Sequence, residues 1–275
     1  MILNNFLPAV IKLKGGLGNQ LFQFCYGRML ANRYRFKVYF DARGLQNSKS
    51  PRNFELQNFE LYKYHSKDFI IDSKLNHEKF PRLICSLYFR LGIKHFENNS
   101  DFHLIPKPGI HFGYWQNRKV LEYISSSRDM FNISKEFQLT DEKAEIFNSN
   151  SIGVHIRGTD YLEHPNLLKL DSDYYKKGIE YIAERMPDFK LYVFTDDIVH
   201  TKKILNGVEY QLMERQSPVI DFYLLQSCKH QIIANSTFSF LAALLNLNKR
   251  KIVIAPGNWE VSNKNYLIAN GFIHI

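Results

Sequence analysis

One imidazole, one guanidinium and one carboxylate follow a short apolar strand in the middle of the chain. Residues 151–161 read Ser-Ile-Gly-Val-His-Ile-Arg-Gly-Thr-Asp-Tyr, which places His155, Arg157 and Asp160 at the carboxyl end of that strand. Ligands of open α/β sheets bind beyond the carboxyl ends of the strands, and the planar guanidinium of arginine binds phosphate through two hydrogen bonds. The pattern indicates an anion-binding site, although Arg157 and Asp160 could also simply pair with each other at the strand end.

A glycine-rich turn joins the first strand to the first helix. Residues 14–20 read Lys-Gly-Gly-Leu-Gly-Asn-Gln. Gly16 and Gly18 let a ligand approach the backbone, and the N–H groups at the start of a helix attract anions. The turn matches neither a dinucleotide fingerprint nor a P-loop. It is either a ligand contact or a tight strand-to-helix turn in which Asn19 helps to cap the helix.

A second strand-to-helix junction carries Asn235, Ser236 and Thr237 followed by Phe238. Hydroxyl groups and backbone N–H groups at the start of a helix form a cradle for phosphate, and the helix dipole favours its negative charge. Helix capping by Ser236 or Thr237 is the alternative explanation. Capping requires only one such residue, so the cluster of polar residues favours a phosphate site.

Asp171 and Asp173 have the Asp-x-Asp spacing with which many glycosyltransferases hold a divalent metal. They come directly before a helical pattern, so helix capping explains them better. Three widely spaced cysteines form no Cys-x-x-Cys pair and indicate neither a zinc site nor a disulfide framework. We therefore expect no metal and a reducing, cytoplasmic location.

The formal charge of +9 is concentrated in the first half of the 275-residue chain. Residues 1–150 contain 22 Lys and Arg against 14 Asp and Glu, whereas residues 151–275 contain 14 against 13. An anionic partner is expected for the basic half: nucleic acid, a membrane surface or a phosphorylated substrate. No zinc-finger, basic-helix or RNP pattern supports nucleic acid, and no apolar run of about 20 residues would span a bilayer.

The alternation of strands and helices predicts two Rossmann-like domains with parallel sheets, residues 1–150 and residues 151–275. In the second half, short apolar strands at 152–156, 191–194, 231–234 and 251–255 alternate with helical patterns. The first half opens in the same way and becomes less regular through residues 42–110. Continuous apolar strands between helices are typical of a parallel sheet that is covered on both faces.

Five ordered blocks resemble the α-1,2-fucosyltransferases of glycosyltransferase family 11. They lie at residues 14–24, 112–117, 154–161, 193–197 and 228–239. The resemblance implies an α/β fold of the GT-B type, in which two Rossmann-like domains face each other and the C-terminal one holds GDP-fucose. It also implies inverting, metal-independent transfer of L-fucose from GDP-β-L-fucose to the 2-hydroxyl of a glycan acceptor, which we expect to be a β-galactosyl glycan.

The resemblance and the residue chemistry together suggest roles for the site residues. Arg157 is expected to bind the departing β-phosphate, with Asn235, Ser236, Thr237 and the Phe238 N–H around the diphosphate and His155 beside it. Asp160 either orients Arg157 or serves as the base for the acceptor hydroxyl. Gly16, Gly18 and Asn19 are expected to approach from the other domain. Asp221 is expected to bind guanine, or else it is only a helix N-terminal aspartate.

One position departs from the family pattern, which carries two adjacent arginines as His-x-Arg-Arg. Here Gly158 follows Arg157, so one cation is missing. The missing cation suggests a catalytically inactive nucleotide-sugar-binding protein as an alternative to an active fucosyltransferase. Asp171 and Asp173 suggest a metal-dependent glycosyltransferase as a second alternative, and the basic half of the chain suggests a nucleic-acid-binding protein as a third.

A short apolar segment flanked by arginines, residues 81–90, lies in the basic half. Family members often act on lipid-linked glycans, and such a segment favours weak peripheral contact with an anionic membrane. The other explanation is a helix that packs into the core through Leu83, Leu87 and Leu91.

Overall fold

The computed structural model divides the chain into two compact units, Met1–Asn132 and Ile133–Ile275. Each unit contains a parallel β-sheet with helices, as the alternating pattern predicts. The structure describes residues 7–34, 37–46, 51–60, 69–71, 79–90, 95–97, 107–133, 141–214, 217–261 and 267–275.

The sheet of the first unit is entirely parallel across the strands that the structure describes. Its strands are β1 (Ala9–Lys12), β2 (Val38–Asp41), β3 (Phe69–Ile71), β4 (His95–Glu97) and β5 (Gly109–Phe112), in the order β3-β2-β1-β5-β4. The helices are α1 (Leu17–Tyr34), α2 (Lys79–Arg90) and α3 (Arg118–Ser126). The central position of β1 places the glycine turn that follows it at the carboxyl edge of this sheet.

The second unit contains a six-stranded parallel sheet, counted over the described residues. Its strands are β6 (Asn150–Ile156), β7 (Phe189–Thr195), β8 (Gln211–Leu212), β9 (His230–Ile232), β10 (Val253–Ala255) and β11 (Phe272–His274), in the order β11-β10-β9-β6-β7-β8. The helices are α4 (Asp141–Asn148), α5 (Asp160–Glu163), α6 (Ser172–Ala183), α7 (Ile198–Ile204), α8 (Pro218–Ser227) and α9 (Thr237–Leu245).

Strand β6 is buried on both faces, which explains its continuous apolar sequence. On one face Ile152, Val154 and Ile156 form a core with Ile179 and Ile182 of α6. On the other face a Cβ atom added at Gly153 would lie 2.7 Å from Leu225 of α8, so the helix packs directly against the strand. β6 thus presents its carboxyl end from a filled core.

Helix α2 does not bury all of its apolar residues. Tyr88 is fully buried and its hydroxyl donates to the Pro8 carbonyl, whereas Leu83, Leu87 and Phe89 are 64%, 47% and 81% exposed. The alternative that Leu83 and Leu87 pack into the core is therefore wrong, because the face toward the sheet is formed by Tyr88, Ile84 and Cys85. Leu91 lies outside the described residues. In the described part of the chain, no helix is long and apolar enough to cross a membrane.

Candidate functional site

The loop after β6 is fixed by a carboxylate from the neighbouring strand. Because Ile156 pairs in register with Thr195, the residues that follow the two parallel strands lie side by side. Asp196 accepts hydrogen bonds from the Arg157 guanidinium, from the Gly158 N–H at 2.8 Å and from the Thr159 hydroxyl at 3.1 Å. Burial alone would raise the pKa of Asp196, but Arg157 and these donors outweigh it and hold the pKa below its usual range.

Gly158 is a glycine for a steric reason. A Cβ atom at this position would lie only 2.2 Å from the Cβ of Asp197. Asp197 cannot easily move away, because its carboxylate caps helix α7 by accepting from the His200 N–H at 2.9 Å. The departure from His-x-Arg-Arg is therefore built into the packing of two loops, and no arginine fits at position 158 in this backbone.

Tyr161 and Asn235 connect the Arg157 loop to two other segments. The Tyr161 hydroxyl donates to the Asn235 carbonyl, and the Arg157 guanidinium carbon lies 5.5 Å from the centre of the Tyr161 ring. The Asn235 side-chain amide donates to the carbonyls of Leu168, at 2.8 Å, and Trp259, at 2.9 Å. Its NH₂ group thus supports loops around a cavity whose lining includes Arg157, Tyr161, Leu168, Lys169, Tyr175 and Asn235.

Helix α9 begins without a side-chain cap. Ser236 is the N-cap residue, but its hydroxyl makes no capping hydrogen bond. Ordinary capping by Ser236 therefore does not account for the polar cluster. The first N–H groups of a helix have no carbonyl partner within the helix itself. Thr237 and Phe238 are the first two residues of α9, so their N–H groups belong to this set.

Phe238 connects the start of α9 with β6 and α8. Its ring centre lies 5.3 Å from that of His155 and 5.5 Å from that of Phe222. Phe222 directly follows Asp221, which lies in the first turn of α8, where the helix dipole favours a carboxylate. These aromatic contacts bring His155, Phe222 and the start of α9 into one cluster, and Asp221 is the residue next to Phe222 in the chain.

His155 is held neutral by its surroundings. His155 is 6% exposed, and burial, together with the neighbouring Arg157, lowers the pKa of its imidazole to about 3. Nδ1 has no hydrogen-bond partner among the described residues. In a neutral imidazole one ring nitrogen donates a hydrogen bond and the other accepts one, and near pH 7 the ring supplies no positive charge.

Two aspartates that could have held a metal lie at the start of α6. Asp171 is the N-cap and accepts from the Tyr174 N–H at 3.0 Å, while Asp173 is exposed in the first turn. The capping explanation of Asp171 is thus the one that the structure shows. The described residues contain no group of three or more His, Cys, Asp or Glu side chains that could hold a metal.

The glycine turn of the first unit is held by two buried glutamines. Gln20 donates to the carbonyls of Gly15, at 3.2 Å, and Asn53, at 2.8 Å. Gln23 both donates to the Lys14 carbonyl, at 3.2 Å, and accepts from its N–H, at 3.1 Å. Gly15 has a φ of +78°, a backbone conformation that residues with a side chain rarely adopt. The turn is therefore a defined loop.

The remaining predicted residues of this turn lie around the start of α1. Gly16 precedes the helix, and a Cβ added there would have no atom within 4 Å; Gly18 is buried within the first turn. Asn19 is the third residue of α1, and its side-chain oxygen accepts from Gln116 at 2.8 Å. Asn19 thus connects the turn to the block at residues 112–117.

The structure gathers most of the predicted site residues of the second unit at the carboxyl edge of its sheet. Asp160 begins α5 on the same loop as Arg157, but its side chain is outside the described part of the chain. Lys169 and Tyr175 were not predicted as site residues, and the position of Asp196 after a strand left open whether it faces a ligand or only ends the strand. Asp196 lies in the block at residues 193–197, and the register of two parallel strands could have identified it. Lys169 has no comparable sequence signal.

The model of glycosyl transferase family 11 matches residues 10–268, nearly the whole chain. The chain belongs to this family. An α-1,2-colitosyltransferase of Escherichia coli is 31% identical over 91% of this chain and 92% of its own length. The O-antigen biosynthesis glycosyltransferase WbnK of Escherichia coli is 28% identical over 96% of this chain and 99% of its own length. This family 11 member is therefore a glycosyltransferase.

Solved fucosyltransferases share its fold. The fucosyltransferase NodZ from Bradyrhizobium aligns with a TM-score of 0.52 at 17% identity, over 87% of this chain and 93% of NodZ. POFUT1 in complex with GDP-fucose aligns with a TM-score of 0.53 at 10% identity, over 89% and 96% of the two chains. At these identities the likeness shows the fold, and it confirms the predicted α/β class with parallel sheets.

The packing at Gly158 predicts a sharp cost for even one added methyl group. We expect Gly158→Ala to lower the free energy of unfolding by about 1–3 kcal/mol, because Asp197 must move while it caps α7. Gly257→Ala is the matched control, since the nearest atom to its added Cβ would be 3.6 Å away. Denaturant unfolding measures both, and equal effects of the two changes would contradict the steric explanation.

Proposed function

We propose that this family 11 member is an inverting, metal-independent α-1,2-fucosyltransferase. It transfers L-fucose from GDP-β-L-fucose to the 2-hydroxyl of a β-galactosyl glycan. The observation that carries the proposal is the junction at the carboxyl edge of the second sheet. There Arg157, held by Asp196, lines a cavity with Asn235, which directly precedes Ser236, the N-cap residue of α9 whose hydroxyl makes no capping hydrogen bond.

The chemistry needs stabilisation of a leaving diphosphate. The acceptor oxygen forms a bond to the anomeric carbon of fucose while the bond from that carbon to the β-phosphate oxygen breaks. Both electrons of that bond leave with GDP, so negative charge grows on the β-phosphate. Preorganised donors lower this barrier without a proton on the phosphate. In the proposal, Arg157 and the Ser236, Thr237 and Phe238 groups are these donors.

The other residues have supporting roles in the proposal. Neutral His155, which packs on Phe238, donates or accepts a hydrogen bond at the donor nucleotide and does not transfer a proton. Asp221 accepts from guanine. Asp160 either orients Arg157 or takes the proton of the acceptor hydroxyl. Gly16, Gly18 and Asn19 of the first unit contact the substrates.

A second candidate concerns the sugar that is transferred. The relative with 31% identity is an α-1,2-colitosyltransferase. Colitose differs from fucose by the loss of one hydroxyl group, so the same diphosphate chemistry serves both sugars. The transfer assay therefore compares GDP-linked fucose with GDP-linked colitose on the same β-galactosyl acceptors.

The donor prediction is tested by ligand-dependent stability and by transfer. GDP and GDP-fucose should raise the melting temperature through mass action, whereas UDP and UDP-galactose should not. Fucose should appear on the 2-hydroxyl of a β-galactosyl acceptor, in α linkage, and at the same rate with EDTA as without it.

Each negative result of these binding and transfer experiments would support a different alternative. Equal stabilisation by UDP-galactose would contradict the GDP assignment. GDP binding without transfer to any acceptor would favour an inactive nucleotide-sugar-binding protein. Activity lost in EDTA and restored by Mn²⁺ would favour the metal-dependent alternative.

The role of Arg157 predicts a large effect of its removal on catalysis. Arg157→Ala should lower kcat on the order of 10² to 10³-fold, because one preorganised charge-stabilising donor is lost. Arg157→Lys should also lose most of the activity, since an ammonium cannot reproduce a planar two-pronged contact with phosphate. The melting temperature must stay close to that of the wild type. A folded Arg157→Ala variant with a third of the wild-type kcat would remove Arg157 from the mechanism.

The exposed apolar side chains of α2 support a weak peripheral membrane contact. Leu83, Leu87 and Phe89 are exposed on a helix that also carries exposed Arg90. We expect the protein to sediment with anionic vesicles at low salt and less with neutral ones. Leu83→Ser together with Phe89→Ser should reduce this binding, and equal sedimentation with both vesicle types would end the proposal.

A further inference from the structure

The cavity beside Arg157 lacks a second arginine, and the packing explains why the next residue cannot supply one. The close approach of Asp197 to Gly158 excludes every side chain at position 158 in this backbone. A diphosphate leaving group carries more than one negative charge. If the proposed function holds, as this inference requires, a further cation must come from a different part of the chain.

Arg157 alone leaves the cavity with little net positive charge. Its guanidinium pairs with the Asp196 carboxylate, and the side chains are only 22% and 11% exposed. An ion pair that is held this firmly orients Arg157, but the carboxylate offsets much of its long-range field. Arg157 therefore supplies an oriented contact, and net positive charge in the cavity must come from another residue.

Lys169 is the other cationic residue in the lining of this cavity. It is exposed, and among the described residues no carboxylate or hydrogen-bond acceptor contacts its ammonium group. An ammonium group without a carboxylate partner contributes its whole charge to a bound anion. Lysine binds phosphate as a point charge, so it needs no fixed fork geometry.

The backbone on either side of Lys169 is tied to the site. The Leu168 carbonyl accepts from the Asn235 side chain at 2.8 Å, and the Leu168 N–H donates to the Trp259 carbonyl at 3.1 Å. Asn235 in turn accepts, through its own carbonyl, from Tyr161, which lies against Arg157. These contacts connect the backbone next to Lys169 to Arg157, so they fix the position of the Lys169 backbone relative to Arg157.

We propose that Lys169 supplies the second positive charge for the β-phosphate of the donor and thereby serves as the cation that Gly158 cannot provide. Arg157 gives an oriented contact, and Lys169 gives uncompensated charge from a side chain whose backbone is anchored. The two contributions together match a leaving diphosphate.

The test compares the binding of GDP and GMP to four proteins by calorimetry. These are the wild type, Lys169→Met, Lys169→Arg and the control Lys249→Met. Lys249 is also exposed, but it precedes β10 and so lies toward the amino edge of the sheet, away from the proposed site. Lys169→Met should weaken GDP binding about tenfold and GMP binding much less, because one charge-assisted contact to the β-phosphate is lost. Lys169→Arg should retain most of the affinity.

The outcomes separate this inference from the proposed function. A wild type that does not bind GDP would remove the proposed function. A wild type that binds GDP, with Lys169→Met of equal affinity, would overturn the role of Lys169 alone. Equal losses for GDP and GMP, or an equal loss in Lys249→Met, would also overturn it. Unchanged melting temperatures establish that the variants are folded.

Discussion

The carboxylate of Asp196 accepts hydrogen bonds from a guanidinium, a backbone N–H and a hydroxyl of the loop after β6. Each of these donors comes from a consecutive residue, Arg157 to Thr159, so one side chain fixes the whole turn. The neighbouring Asp197 then excludes any side chain at Gly158. Arg157 keeps its place in this structure because two parallel strands in register deliver the loop and its acceptor side by side.

Side-chain amides support the loops of both units in the same way. In the second unit, Asn235 donates to carbonyls of two loops; in the first, Gln20 and Gln23 bond to the glycine turn and to carbonyls of other segments. Loops cannot satisfy their backbone groups through regular ladders, so buried amides supply the missing partners. This explains why the polar residues in the sequence blocks are glutamine and asparagine as well as charged residues.

The sequence predicts the elements that are long or strongly apolar. β6 and β7 are found close to the predicted residues, since their β-branched and aromatic runs are buried on both faces. β8 and β11 were not predicted, because two- and three-residue edge strands carry no periodic signal. Helix α4 packs on β6 and α8 of the second unit although it precedes residue 150, and a boundary placed where the regular alternation of strands and helices begins cannot detect such packing.

The candidate site shows the same limit at the level of single residues. The places of Arg157 after a strand and of Ser236 at a helix start could be predicted, because polar residues at strand ends and helix starts have local patterns. Asp196 needed the strand register, and Lys169 needed the cavity itself. Interactions between distant segments are visible only in the folded chain.

The hydrogen bonds that hold the loop after β6 join residues that lie far apart in the chain. Arg157 and Asp196 are 39 residues apart, and Tyr161 and Asn235 are 74 apart. Closing such long loops costs entropy that only the completed sheet can offset. A chain whose second sheet is unfinished therefore lacks both hydrogen bonds. The geometry of the Arg157 loop is thus a property of the completed sheet, and it forms late in folding.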